Sequence, residues 1–237
     1  RISQLFWIGT VSLFASLLVA FQDFDRDGLD DDWEMQFGFS TNAHSYSNLA
    51  GWWQLDQASG TQAVDRSTNN LPLTLTKGAT WTTNGLFYGA VKLDGKGYLQ
   101  ATNSAAYNLT NFTFSAWVKG TNGPEARALA RWIDTQTNGW QLGTASDGQL
   151  SARFSTAVAG KQILQAGSAA SIIDNQWHHV VLSYSGSNSL ACIYLDGTLE
   201  AKKTIQGQFN DPVDTFRIGK GWDKNWIGTL DEIRLYS

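Results

Sequence analysis

The stretch Asp23-Phe24-Asp25-Arg26-Asp27-Gly28-Leu29-Asp30-Asp31-Asp32-Trp33-Glu34 has the side chains to hold a hard cation. It fits the pattern D-x-D-x-D-G-x₅-E at every specified position. Ca²⁺ takes six to eight oxygens at about 2.3–2.6 Å. Asp23, Asp25 and Asp27 would wrap one side of the ion, and Gly28 would make the sharp turn. Leu29 would offer its carbonyl, and Asp31 and Glu34 would complete the sphere. Without an ion, six aspartates between 23 and 32 repel one another. The alternative is a solvated acidic linker, which predicts no particular spacing.

A second kind of chemistry is aromatic. The chain carries 11 tryptophans. Most should anchor the core, and a few should be exposed to stack on sugar rings. Trp132, Trp140 and Trp222 lie among polar residues and are the candidates for ligand binding. Trp222, in Gly219-Lys220-Gly221-Trp222-Asp223-Lys224-Asn225, is the strongest, because a glycine-rich loop should expose it. For Trp132 and Trp140 the competing reading is core packing. Catalysis finds little support. A retaining glycosidase needs two carboxyl groups about 5–5.5 Å apart. Asp231 and Glu232 are adjacent, so on a regular strand they should face opposite ways. His178, His179 and Tyr184 sit in a strand-like run, where structural packing is the commoner role.

The elements that must carry these residues are strands. Trp177 to Lys202 reads as a long hairpin. Trp177 and Val181 should face one way and Val180, Leu182 and Tyr184 the other, as in an inner strand covered on both faces. Asp196-Gly197 signals a tight hairpin turn. Further strands are expected at 50–55, 73–76, 90–93, 98–101, 112–119, 128–133, 139–144, 150–155, 177–184, 189–195, 198–205, 215–218 and 226–236. The segment 126–133 could form at most a short helix instead. Gly is frequent (23) and Pro rare (3), and no repeat of fixed period appears. The pattern predicts an all-β, two-sheet antiparallel sandwich.

Composition bounds the partners. With Lys+Arg 17 and Asp+Glu 21, the net charge is −4. That gives no footprint for nucleic acid. Cys192 is the only cysteine, which leaves no internal disulfide and no cysteine zinc site. Leu5 to Phe21 is an uncharged apolar run of 17 residues behind Arg1. It reads as a secretory signal peptide, drawn as a helix at most, with the remainder secreted or at the cell surface. An uncleaved membrane anchor is the alternative, and needs about 20 apolar residues. The expected organisation is signal or anchor over 1–22, calcium loop and linker over 23–49, and a β domain over 50–237.

Several segments, in order, resemble a known family: Gly51-Trp52-Trp53-Gln54-Leu55-Asp56, Ala90-Val91-Lys92-Leu93-Asp94-Gly95, Phe114-Ser115-Ala116-Trp117-Val118-Lys119, Trp177-His178-His179-Val180, Tyr194-Leu195-Asp196-Gly197, and Gly228-Thr229-Leu230-Asp231-Glu232-Ile233. Over residues 50–237 the chain resembles a laminin G-like jelly-roll domain of the concanavalin A-like lectin/glucanase class. The acidic loop is similar to a single thrombospondin type 3 repeat. The resemblance implies a jelly roll of one concave and one convex sheet. It also implies a second Ca²⁺ tying the opening loop to the last strand, for which Asp65, Asn70 and Asp231 are the candidates, with Asp56 beside them. The competing reading is that Asp56 and Asp65 stabilise turns. The function implied is an exported, calcium-stabilised, non-catalytic module that binds an extracellular glycan or a cell-surface protein. The alternatives are adhesion or spacing within a larger protein, and less readily a polysaccharide hydrolase or lyase.

Overall fold

A computed structural model of the chain describes residues 48–101, 107, 109–121, 127–133, 138–167, 170–208, 215–221 and 224–237, with backbone alone at 131–133. The acidic loop, the apolar run before it, and Trp222 lie outside the described residues.

The strand-rich pattern resolves into sixteen strands, numbered in chain order, in two antiparallel sheets, with no α-helix among the described residues. One sheet contains β1 (Leu49–Trp53), β4 (Ala79–Thr82), β5 (Ala90–Asp94), β7 (Asn111–Gly120), β12 (His178–Ser185), β13 (Leu190–Leu195), β14 (Thr198–Thr204) and β16 (Ile227–Tyr236). Its order is β14-β13-β12-β7-β16-β5-β4. The other contains β2 (Gln62–Ala63), β3 (Leu73–Leu75), β6 (Leu99–Gln100), β8 (Ala128–Ile133), β9 (Gly139–Thr144), β10 (Leu150–Thr156), β11 (Gly160–Gln165) and β15 (Arg217–Ile218). Its order is β11-β10-β9-β8-β15-β6-β3-β2.

The first and last strands of the domain pair. Trp52 lies opposite Arg234 and Trp53 opposite Ile233. β16 is long enough to serve two neighbours on one edge, β5 through 227–230 and then β1 through 233–236. The switch falls at a bulge between Asp231 and Arg234, where Glu232 adopts φ 46°. Such an extra residue re-aims the side chains around it.

Alternation places the core. Phe112, Phe114, Ala116 and Val118 of β7 face inward with Val180, Leu182 and Tyr184 of β12. Trp140 enters from the opposite sheet, 4.7 Å from Phe112 and 6.0 Å from Phe114 between ring centroids. Phe216 extends the layer to Trp53 at 6.0 Å and Tyr107 at 5.2 Å. Offset aromatic contacts of this kind add about 0.5–1.5 kcal/mol each beyond area burial.

The structure differs from the sequence reading in two places. β2, β4 and β11 are strands that the sequence pattern passes over, since short polar runs such as Lys161-Gln162 carry little apolar signal. β12 is an inner strand, but Trp177 lies outside it and its outward residues His179, Val181 and Ser183 are only half-buried. The segment 128–133 is strand, as expected, and not the alternative short helix. The 196–197 turn forms as its residues dictate, with φ 49° at Asp196 and 80° at Gly197.

Trp53 is fully buried, and its indole N–H donates to the Leu71 carbonyl at 3.1 Å. Trp53→Ala is expected to cost about 3–5 kcal/mol. It should appear in urea denaturation as a lower midpoint with little change in slope.

Candidate functional site

The residues that bury Trp140 turn its neighbour outward. β9 alternates, so Gln141 lies on the far face of the sheet from Trp140. Register then assembles a cross-strand row. Ile163 of β11 is opposite Arg153 of β10, and Arg153 is opposite Gln141 of β9. Gln141 is opposite Arg131 of β8, Arg131 opposite Arg217 of β15, and Arg217 opposite Gln100 of β6. The next row along carries Ser151 opposite Gln165.

Of these residues Gln141, Ser151, Arg153, Ile163 and Gln165 line a groove of about 380 Å³, with Lys161 and Lys224 also among its walls. Gly221 and Thr144 also line it. Donors and acceptors are held in place from below. Arg153 Nε donates to Ser155 Oγ at 3.3 Å. Gln165 Nε2 donates to Asp147 Oδ2 at 3.1 Å and to Gln149 Oε1 at 3.2 Å. Gln141 Oε1 is buried and finds no hydrogen-bond partner among the described residues. An acceptor left so costs about 1–3 kcal/mol. Such orphans in folded proteins call for a functional account. Burial pulls the Arg153 guanidinium below its usual pKa, so it sits in partly desolvated surroundings.

A second cavity, of about 360 Å³ and more open, lies on the outer face of the first sheet. Thr113, Ser183, Tyr194 and Tyr236 are among its walls.

The sequence-selected tryptophans divide three ways. Trp140 is core, 1 % exposed, which removes it as a stacking platform. Trp132 pairs in register with Trp140. Trp222 is outside the described residues, but the chain leaves and re-enters them at Gly221 and Lys224, both on the groove wall. Asn225 ties those two ends together. Its Oδ1 accepts from Gly221 N at 3.2 Å, and its Nδ2 donates to the Lys96 carbonyl at 2.9 Å.

The candidate ligands of a second cation are engaged otherwise. Asp65 is 4 % exposed and accepts four hydrogen bonds, each 2.8 Å. They come from Trp52 N, Ser67 N, Ser67 Oγ and Leu71 N. Asn70 takes a left-handed turn conformation, φ 49°, with its N–H on the Ser67 carbonyl. Asp56 Oδ1 accepts from Gly89 N at 2.9 Å. Asp231 accepts from the backbone N–H groups of Leu86, Phe87 and Glu232. The four donors converging on Asp65 fill the lone pairs a cation would need there, which fits turn-building at that residue. Among the described residues no group of three or more His, Cys, Asp or Glu could hold a metal ion.

One expectation is corrected outright. Asp231 and Glu232 do not part to opposite faces, because the bulge breaks the alternation. Glu232 Oε2 accepts from Trp52 Nε1 at 3.0 Å and from Arg234 Nη2 at 3.0 Å, and the Arg234 guanidinium lies over the Trp52 ring at 5.2 Å. Burial pushes Glu232 up to about 7, against the pull of Arg234 and Trp52, and Asp231 and Asp56 add to the rise. Burial likewise pushes Asp231 up to about 6 despite its backbone donors, with Asp56 adding again. Asp231 is 1 % exposed and Glu232 8 %.

Comparison with known proteins follows from this geometry. The class is a two-sheet antiparallel sandwich with a polar groove on the outer face of one sheet. Residues 93–237 match the concanavalin A-like lectin/glucanases superfamily, and the chain belongs to that family. Among solved structures, domain 4 of AbnA, a GH43 extracellular arabinanase from Geobacillus stearothermophilus, in complex with arabinotriose, is similar at TM-score 0.65 and 19 % identity, covering 80 % of this chain and 92 % of that one. The botulinum neurotoxin serotype D binding domain is similar at TM-score 0.60 and 17 % identity, covering 81 % and 49 %. The CBM40 of the Ruminococcus gnavus IT-sialidase, bound to α2,6 sialyllactose, is similar at TM-score 0.50 and 14 % identity, covering 62 % and 89 %. At these identities the likeness is one of fold. A comparison with curated protein sequences returned no match.

The two raised carboxyls give stability a pH dependence. A carboxyl whose pKa is higher in the fold than in the unfolded chain favours folding below the unfolded value. That contribution is lost as pH rises through the folded one. His178 and His179 shift in opposite directions and oppose each other. Urea midpoints in chelator should therefore fall from pH 5 to pH 8, by on the order of 2 kcal/mol for each carboxyl. Glu232→Gln should flatten the fall, and an unchanged slope in that variant would contradict the assignment.

Proposed function

We propose that the protein is an exported, non-catalytic carbohydrate-binding module whose site is the groove on β8–β11. The observation that carries this is the groove floor itself, a row of Arg153 and Gln141 with Ser151 and Gln165 beside it. Planar amides and guanidinium groups on a rigid sheet match paired sugar hydroxyls, and a sheet holds them more firmly than a loop. Two structural neighbours from the comparison were solved with sugars bound, which is consistent with it. The non-catalytic part rests on Asp231 and Glu232, whose carboxyls are buried and spent on holding β16 to β1 and to the 86–87 segment.

Calcium belongs to this proposal through the acidic loop, on its spacing alone, with Asp23, Asp25, Asp27, Leu29, Asp31 and Glu34 as ligands. Export rests likewise on the apolar run over 5–21. Calorimetric titration of the whole chain with Ca²⁺ should find one site, lost in Asp27→Asn. A stoichiometry of two would restore a role for Asp65 or Asp231.

The glycan reading is tested on an array of plant, algal and animal glycans, with Gln141→Ala, Arg153→Ala and Trp222→Ala. Binding should fall about tenfold or more in Arg153→Ala, the loss expected of a charge-assisted hydrogen bond, and about fivefold in Gln141→Ala, the loss expected of a neutral one. It should fall in the third if Trp222 stacks on the sugar. No glycan bound, with capture of a cell-surface protein instead, would support adhesion. Release of reducing ends or an unsaturated product would make the protein an enzyme.

A further inference from the structure

We propose that Gln165 is a specificity-determining residue of the groove, locked so that its amide oxygen meets the ligand, and that it selects glycans with a free hydroxyl at that point. This deepens the glycan reading and rests on it. Gln165 lines the groove from β11. An unconstrained glutamine presents either end, since its NH₂ donates and its oxygen accepts. Here the NH₂ end is committed. Nε2 donates to Asp147 Oδ2 at 3.1 Å and to Gln149 Oε1 at 3.2 Å. A carboxylate only accepts, so the amide cannot turn its oxygen to Asp147. Asp147 is held in its turn, with Oδ1 accepting from Gln149 N at 3.1 Å. The Gln149 carbonyl accepts from Ala145 N at 2.9 Å, and Gln149 bridges to Ser171. Neither Asp147 nor Gln149 is among the described groove walls, so Nε2 is committed to residues outside the groove. With both amide hydrogens engaged, Oε1 is the end left for a ligand.

The strand beneath Gln165 is fixed as well. β11 ends its sheet and pairs only with β10 there. It is tied from two further directions. Gln162 Oε1 accepts from Gln206 N at 2.7 Å, and Gln162 Nε2 donates to the Gln206 carbonyl at 3.0 Å. Lys203 Nζ donates to the Ile163 carbonyl at 3.0 Å. A binding group whose supports are locked loses less freedom when a ligand arrives. Lys161, Ile163 and Gln165 share the outward face of β11 and all line the groove. The wall therefore reads donor, apolar surface, acceptor, with its ends about 13 Å apart along the strand. Ile163 is 38 % exposed and offers the C–H face of a sugar ring an apolar seat. A hydroxyl both donates and accepts. An ether or ester oxygen in its place only accepts, and would set acceptor against acceptor at Gln165 Oε1.

The test is binding of the whole chain to the array of plant, algal and animal glycans, printed in native form and again after partial O-methylation. The wild type should bind the native form more tightly. Methylation removes donors that any site could use, so the variants decide, each checked to melt like the wild type. Gln165→Leu should lose about fivefold on native glycans, the size of one neutral hydrogen bond, and much less on the methylated ones. Gln165→Glu keeps an oxygen at the end of a side chain of the same length, and should bind native glycans as the wild type does. Asp147→Ala frees the amide to turn its NH₂ to an ether oxygen, and should narrow the gap between native and methylated glycans. A fall in Gln165→Glu as large as in Gln165→Leu would make Gln165 a donor and overturn the proposal. So would an undiminished gap in Gln165→Leu or in Asp147→Ala. Each of those results leaves the glycan reading intact, whereas no binding to either form of the array would remove both.

Discussion

A continuous layer of aromatic rings holds the two sheets together, and its register decides what the outer faces can do. Phe112 and Phe114 both meet Trp140, Trp140 meets Phe216, and Phe216 meets Trp53 and Tyr107 across the interior. Because strand side chains alternate, committing Trp140 to that layer commits Gln141 to the opposite face. A slip of one residue in β9 would reverse both and replace the polar floor with an indole. Core and site are thus two sides of one register.

The same layer explains how the domain closes. Trp53 is drawn inward against Phe216, which pins β1. β1 then takes the last four residues of β16, while β5 takes the first four. The bulge at Asp231–Arg234 is the joint between those pairings. It brings two carboxyls, an arginine and the Trp52 ring into one buried cluster. Burial in that joint is the largest cause of the raised pKa values of the two acids.

Much of the fold is legible in the residues. The apolar alternation at 112–118, the Asp-Gly turn at 196–197 and the tryptophan-rich opening at 52–53 each dictate what forms there. The site is far less so. Arg153, Lys161 and Gln165 look in sequence like any solvated strand face, and only register with Gln141 makes them neighbours. Lys161 lies on β11, a strand with too few apolar residues to announce itself. Trp140 sits among polar residues in the chain and among rings in space, so its neighbours misdirect. The bulge at Glu232 has no glycine to mark it, though a positive φ usually prefers one. Asp65 fits a calcium ligand and a turn-builder equally well until its four donors are located.

The central claim, that ligand meets the outer face of β8–β11, is most directly tested by amide chemical-shift mapping on the ¹⁵N-labelled protein titrated with a bound oligosaccharide. The account predicts shifts concentrated at Gln141, Ser151, Arg153, Lys161 and Gln165, with the amides of Thr113, Ser183 and Tyr194 on the opposite sheet unmoved. Shifts gathered on that opposite face, with the β9–β11 amides silent, would contradict it.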